Sequence, residues 1–189
     1  MTELVTLQQY KAYRNISGNT DDGKLNMIIP SVSKLVRTYC GRDFTSYYGT
    51  NLTEYHTLKW DVSAIFLREL PIVAVVSVEE LTEGSQTLYT TLTASEYIID
   101  TNMDAIYRIE DGKAYCFPIG VNAVKVVYKA GYATVPADLQ LAVCDLITYY
   151  IKEQYLPEKN HASFTIRHNN DKPDFPDHIK RVLDFYRDT

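Results

Sequence analysis

A chain of 189 residues with 46% hydrophobic and 23% charged side chains has the make-up of one folded domain carrying an elaboration, and is short for two independent ones. Its formal charge of −5 is gathered in the middle: residues 1–51 hold six basic and four acidic side chains, whereas residues 52–131 hold six and eleven. That pattern argues against a DNA-wrapping or DNA-reading face in the central block, because phosphate affinity comes from clustered Lys and Arg.

Thr6 followed by Gln9 has the form of a capping box, and Leu7, Tyr10 and Tyr13 fall on one stripe of a short helix ending near Arg14. Asn15 to Thr20 reads as a turn. Thr20 or Asp21 then caps a second helix whose Leu25, Ile28, Ile29, Val32, Leu35, Val36, Tyr39 and Cys40 make one apolar face, and Gly41 stops it. Pro30 within that run removes the hydrogen bond to the Asn26 carbonyl, which predicts a kink.

From Leu52 the period of the apolar residues changes from about 3.6 to 2. Leu52–Trp60, Ile65–Leu67, Val73–Leu81, Glu96–Asp100, Ala105–Glu110, Ala114–Phe117 and Ala123–Lys129 each read as a short strand. Asp111-Gly112 is the strongest hairpin signal, since a type I′ turn needs positive φ at both central residues. Glu83-Gly84-Ser85 marks another reversal. Gly131 ends the strands, and Pro136 is expected as the first residue of a helix whose Leu139, Ala142, Val143, Leu146, Ile147 and Tyr150 share one face. Beyond it Ser163–His168 alternates as a lone strand, and Asp174 and Pro176 open a final helix carrying Ile179, Val182, Leu183 and Tyr186.

The expected fold is therefore α+β: a small helical bundle body from residues 1–51 and 132–156, an inserted antiparallel β-rich subdomain over 52–131, and a C-terminal extension over 157–189. No apolar run approaches the roughly 20 residues that span a bilayer, and the Met1 end lacks a signal pattern, so the expected place of synthesis is the cytoplasm.

The search for chemistry returns little. There is no phosphate-cradling glycine loop, no Gly-x-Ser-x-Gly elbow and no HExxH pair. Asp100, Asn102 and Asp104 begin like a calcium loop, but Ala105 stands where glycine is required and Asp111 where a bidentate glutamate is. Cys40, Cys116 and Cys144 are odd in number and far apart, and read as reduced thiols. His161, His168 and His178 lack metal-ligand spacing. No catalytic residue, cofactor or metal is expected. What stands out is 16 tyrosines, rings with a polar tip that suit interfaces, and the acidic run Glu79-Glu80 with Glu83. A rival class, a small binding module or hydrolase with its site between sheet and helices, would have to use Glu79, Glu80, Asp100 and Asp104.

One resemblance covers residues 1 to about 155. The pattern Leu7 to Tyr13, the turn with Asp21-Asp22, and the helix ending Tyr39-Cys40-Gly41-Arg42-Asp43-Phe44 are similar to those of the head-tail connector, or head-completion adaptor, proteins of tailed bacteriophages. The similarity continues through Leu70-Pro71-Ile72 into Val73–Val78, Tyr97-Ile98-Ile99-Asp100, Tyr128-Lys129-Ala130-Gly131-Tyr132-Ala133 and Pro136-Ala137-Asp138-Leu139. It implies a structural virion protein without enzyme activity, assembled in the host cytoplasm and placed at the neck. There it would form a homo-oligomer ring, a dodecamer in the virion, beneath the portal protein. It would offer a platform to a neck, stopper or tail-completion protein, with genomic DNA passing through the lumen during ejection, unread in sequence, and no membrane involved.

Two placements of residues follow under that reading. Ser163, Phe164, Thr165, Ile166, Arg167 and His168 are expected to leave their own subunit and extend the sheet edge of a neighbour or partner. Glu79, Glu80 and Glu83 are expected to face passing DNA or a channel mouth, where like charge prevents sticking.

Overall fold

The computed structural model describes residues 3–152, 158–161, 164–167 and 175–187. The chain divides into two compact units, residues 1–42 with 135–189, and residues 43–134. With helices and antiparallel sheets side by side in the element order, the fold is α+β.

In the first unit α1 (Leu7–Arg14) starts at the expected capping box: Gln9 N–H donates to Thr6 Oγ1 at 3.2 Å, and Thr6 N–H to Gln9 Oε1 at 2.8 Å. α2 (Asp22–Cys40) continues through Pro30 and ends at Gly41, whose φ of 71° is the left-handed conformation glycine takes without a Cβ penalty. Asp21 precedes it but makes no side-chain cap, because its backbone is already helical at φ −96°, ψ 0° and does not aim the carboxylate at the first turn. Pro136 is the N-cap of α3 (Ala137–Ile151) in an extended conformation, not its first helical residue. α4 (Asp177–Asp184) is packed on α2 and α3 within the first unit and buries Ile179 and Leu183.

The second unit runs β1 (Leu52–Leu58), β2 (Ala64–Phe66), β3 (Ile72–Leu81), β4 (Tyr89–Thr91), β5 (Tyr97–Asp100), β6 (Ala105–Glu110), β7 (Lys113–Ala114) and β8 (Gly120–Ala130). One antiparallel sheet has the order β1-β8-β3-β4, and the other the order β2-β6-β5 with β7 on β6. Ile65, Val78, Ile106, Phe117, Val124 and Val126 make their shared core. The β6–β7 turn places Asp111 at φ 49° and Gly112 at φ 73°, the two positive angles expected from the dipeptide. The short strand β4 went unforeseen because its Tyr-Thr-Thr carries no apolar alternation. β3 slips register against β8 between Ile72 and Ala74 and again between Val75 and Ser77; a continuous apolar run hides such bulges, since each adds a residue that no pattern marks.

β9 (Glu158–His161) and β10 (Phe164–Arg167) pair antiparallel as a separate two-stranded sheet, with Phe164 opposite His161 and Arg167 opposite Glu158. The strand expected to lack a partner in its own chain therefore has one, in a segment whose polar Glu-Lys-Asn-His sequence does not announce a strand.

Candidate assembly surfaces

Three of the fragments that carry the resemblance meet inside the second unit. Tyr132 N–H donates to the Phe44 carbonyl at 2.7 Å, Gly131 N–H to the Pro71 carbonyl at 2.9 Å, and Ala130 N–H to the Tyr47 carbonyl at 3.1 Å. Gly131 has φ 94°, and a Cβ on it would lie 2.2 Å from the Phe44 oxygen, so only glycine fits.

A buried polar chain lies beside these bonds. Glu69, 6% exposed, accepts the Asp43 N–H at 3.0 and 3.1 Å through its two carboxylate oxygens. Its own N–H donates to the Tyr128 hydroxyl at 3.1 Å, which in turn donates to Glu54 Oε2 at 2.7 Å. Burial first, and then the Glu54 carboxylate, push the Tyr128 hydroxyl pKa far up, so it stays protonated and acts as a tie between strands. His56 shares a face of β1 with Glu54, its Nε2 at 3.6 Å from Glu54 Oε1. Burial draws the His56 pKa down, against the opposing pull of that carboxylate.

The acidic run does not gather into one patch. Glu79 and Glu80 are adjacent on β3 and so point to opposite faces of the sheet. Glu79 lies opposite Lys125 in the ladder, accepts from its Nζ at 2.9 Å and from Ser77 Oγ at 2.8 Å, and has its carboxyl pKa held down chiefly by the Lys125 hydrogen bond. Glu80 accepts from Arg108 Nε at 2.8 Å. Arg108, 7% exposed, also donates to the carbonyls of Glu96 and Ile109 at 2.9 and 2.7 Å and lies over the Tyr115 ring. Glu83 is exposed beyond the end of β3. Two of the three carboxylates are thus bound to cations on diverging faces.

The other acidic residues named for the rival binding module or hydrolase, Asp100 and Asp104, lie in one turn. Asp100 Oδ1 closes its own turn, accepting from the N–H groups of Asn102 and Met103 at 2.9 and 3.1 Å, and Asp104 ends that turn at φ 50°. Among the described residues no group of three or more His, Cys, Asp or Glu side chains could hold a metal ion. Desolvation pushes the thiol of Cys40 up to about 12 and that of Cys144 up to about 11, while Cys116 is exposed.

Much of the tyrosine surplus is spent inside the chain. Tyr13 donates to Asp145 at 2.7 Å and Tyr39 to Asp184 at 2.5 Å, each joining two helices of the first unit, and Tyr186, just past the end of α4, donates to both oxygens of Asp138 at 2.7 and 2.9 Å. Tyr10 meets Thr148 at 3.1 Å. These tyrosines serve the chain's own packing, since a phenol reaches a carboxylate on a neighbouring helix.

The exposed apolar surface is built from aliphatic and aromatic side chains together. On the helical unit a groove of about 410 Å³ is lined by Met27, Ile28, Val32, Leu35 and Tyr150, with Lys24 and Ser31 beside them. On the β unit Trp60, Leu88, Ile119 and Val121 are each more than half exposed. Of the arm residues, Phe164, Thr165, Ile166 and Arg167 form β10, whereas Ser163 and His168 lie outside the described residues.

The sequence model of a family described as head completion protein matches residues 3–189. The head completion protein of Escherichia phage T5 is 23% identical over 188 residues, covering 98% of both chains. In structure the chain is similar to one from the neck of an empty GTA particle computed with C6 symmetry, with a TM-score of 0.60 and 14% identity over 98% of this chain and 90% of that one. A chain from the neck of the native GTA particle computed with C12 symmetry gives 0.53 and 15%, over 86% and 81%. One from the virion of the native gene transfer agent gives 0.59 and 17%, over 98% and 90%.

Proposed function

The chain belongs to the head completion protein family, and from that membership we propose that it is a head-tail connector subunit. In this reading it sits at the virion neck, forms a ring beneath the portal protein, joins the filled capsid to the next neck or tail-completion protein, and lets genomic DNA through its lumen. The observation that carries the proposal is the family match, which runs from residue 3 to residue 189 and leaves no large part of the chain for a separate activity. The shared fold with chains from necks computed with C6 and C12 symmetry supports a ring, twelve subunits being the expected number. A role without turnover is supported by the commitment of the buried Glu69 to Asp43 and of the half-buried Glu54 and Glu80 to Tyr128 and Arg108. Heads assembled without this protein should fill with DNA yet carry no tail and lose their genome. Heads that acquire tails normally in its absence would overturn the proposal.

The arm and the acid enter as parts of the same reading. β9 and β10 form a sheet of only two strands among the described residues, which is marginal in water by itself; a strand from a neighbour would complete it, and Ser163–His168 would supply the joining edge. Deleting residues 157–175 should then impair docking to the neck, and unchanged docking would remove the arm from the account. Because Glu79 and Glu80 are held by Lys125 and Arg108, the charge that DNA would meet is the acidic excess of the unit together with Glu83. Glu83→Gln should slow DNA exit in a salt-dependent way, and an exit rate equal to that of the native particle at every salt concentration would count against a DNA-facing role.

A further inference from the structure

We propose that neighbouring subunits associate head to tail by seating the apolar tip of one β unit in the α2 groove of the next helical unit. This rests on the ring reading above and names the surfaces that would close it.

The tip follows from sheet topology. Leu58 pairs with Gly120 and Leu81 with Tyr89, so the ends of β1 and β3 and the starts of β8 and β4 all lie at one end of the sheet. That end carries Trp60, Leu88, Ile119 and Val121, exposed by 68%, 62%, 55% and 74%. Its backbone is tied in place: the Tyr89 hydroxyl donates to the Asn122 carbonyl at 2.9 Å, Asn122 N–H to Thr57 Oγ1 at 3.1 Å, and Thr82 N–H to the Leu88 carbonyl at 2.8 Å. Single exposed apolar residues are ordinary, but four large ones carried by one braced end mark a contact surface.

The groove is the complement. Its volume of about 410 Å³ is enough for one or two large side chains, with Met27 75% and Leu35 36% exposed along α2 and Tyr150 contributed by α3. Lys24 also lines an adjoining hollow with Arg14, Lys152 and Asp21, three cations to one carboxylate, which leaves that rim basic on balance. Close in sequence to the tip residues Asp61 and Glu83 are exposed, as is Lys59, two carboxylates to one cation. The same sign difference holds for the units: residues 43–134 carry 6 basic and 12 acidic side chains, and the remainder of the chain carries 13 and 12. Opposite charge around an apolar contact steers and orients the encounter. A knob and a hole at different places on one chain give a heterologous contact, the kind that closes into rings.

The test uses the full chain in sedimentation velocity at rising concentration, alone and on portal rings. Trp60→Asp and Met27→Asp should each weaken self-association by roughly tenfold or more, the scale of losing a buried interface anchor. An equimolar mixture of the two variants retains one intact tip and one intact groove, and should recover dimers but nothing larger. Because both residues are exposed, each variant should melt like the native chain; Val121→Glu is a second tip variant should Trp60→Asp melt lower. Native association by both variants, while the native chain forms rings, would overturn the docking and leave the ring reading standing. Variants that associate weakly and stay monomeric when mixed would overturn the head-to-tail geometry. A native chain that is monomeric alone and on portal rings would overturn both.

Discussion

Replacing Gly131 with alanine should be among the most damaging single changes in the β unit. The backbone there has φ 94°, and the added Cβ would stand 2.2 Å from the Phe44 carbonyl oxygen, which is itself held by the Tyr132 N–H at 2.7 Å. Neither side yields easily. Strain at a sparsely populated backbone conformation costs about 1–3 kcal/mol, and pushing Phe44 away forfeits a buried hydrogen bond worth about 1–3 kcal/mol once its partner is left unsatisfied. The expected loss is therefore about 2–6 kcal/mol, against a typical domain stability of about 5–15 kcal/mol. Gly84→Ala is the matched control, because Gly84 has φ 75° but nothing within 4 Å of its would-be Cβ. It should lose only the cost of left-handed backbone, about 1–2 kcal/mol. Urea unfolding of both variants, compared at equal m-values, reads the difference. If Gly131→Ala fell within measurement error of Gly84→Ala, the close approach of these two segments would be refuted.

Other expectations follow from the remaining interactions. Arg108→Met should destabilise by about 3–5 kcal/mol because it strands Glu80 in a largely buried site; adding Glu80→Leu should recover part of that loss in a thermal melt, and a purely additive double variant would deny the pairing. His56 is held below its ordinary 6.5 by burial, so below about pH 6.5 the unfolded state binds more protons and stability falls as pH falls towards the lowered folded value. His56→Gln should flatten that part of the curve, and an unchanged slope would remove His56 as its source. Cys116 should react with an aromatic disulfide in the native protein, whereas Cys40 and Cys144, with thiols pushed up to about 12 and about 11, should react only on unfolding. Rapid labelling of all three would contradict the burial of Cys40 and Cys144. Tyr13→Phe should cost less than about 1 kcal/mol, because its bond to Asp145 is at the surface; a larger loss in a melt would show that this tie bears more of the helical unit than its exposure allows.

The helices were readable because their apolar residues recur on one face and their ends carry local signals: the Thr6 and Gln9 capping box, Gly41 as a stop, and proline at 136 and 176. The Asp111-Gly112 hairpin was readable for the same reason, since positive φ is a local demand. Pairing was not. That β8 lies between β1 and β3, that Glu80 meets Arg108, and that Phe44, Pro71 and Gly131 converge are facts of contact between residues remote in sequence. Periodicity along a strand reports which side is buried and says nothing of what buries it. The run Glu79-Glu80 therefore looked like one acidic patch although the pleat sends its members to opposite faces, and the tyrosines looked like interface residues although their carboxylate partners sit on other helices. The apolar tip has no signature along the chain because its four side chains lie in or beside different strands that only the sheet brings to one end. The resemblance, by contrast, is carried in part by fragments that meet around Gly131, and the family match over residues 3–189 bears it out.

The connector role is tested most directly by native mass measurement of the full chain, alone and after mixing with portal rings. A closed oligomer, expected to hold twelve copies on the portal, is the predicted result, with no monomeric protein left at stoichiometric mixing. An inert monomer in both settings would contradict the account.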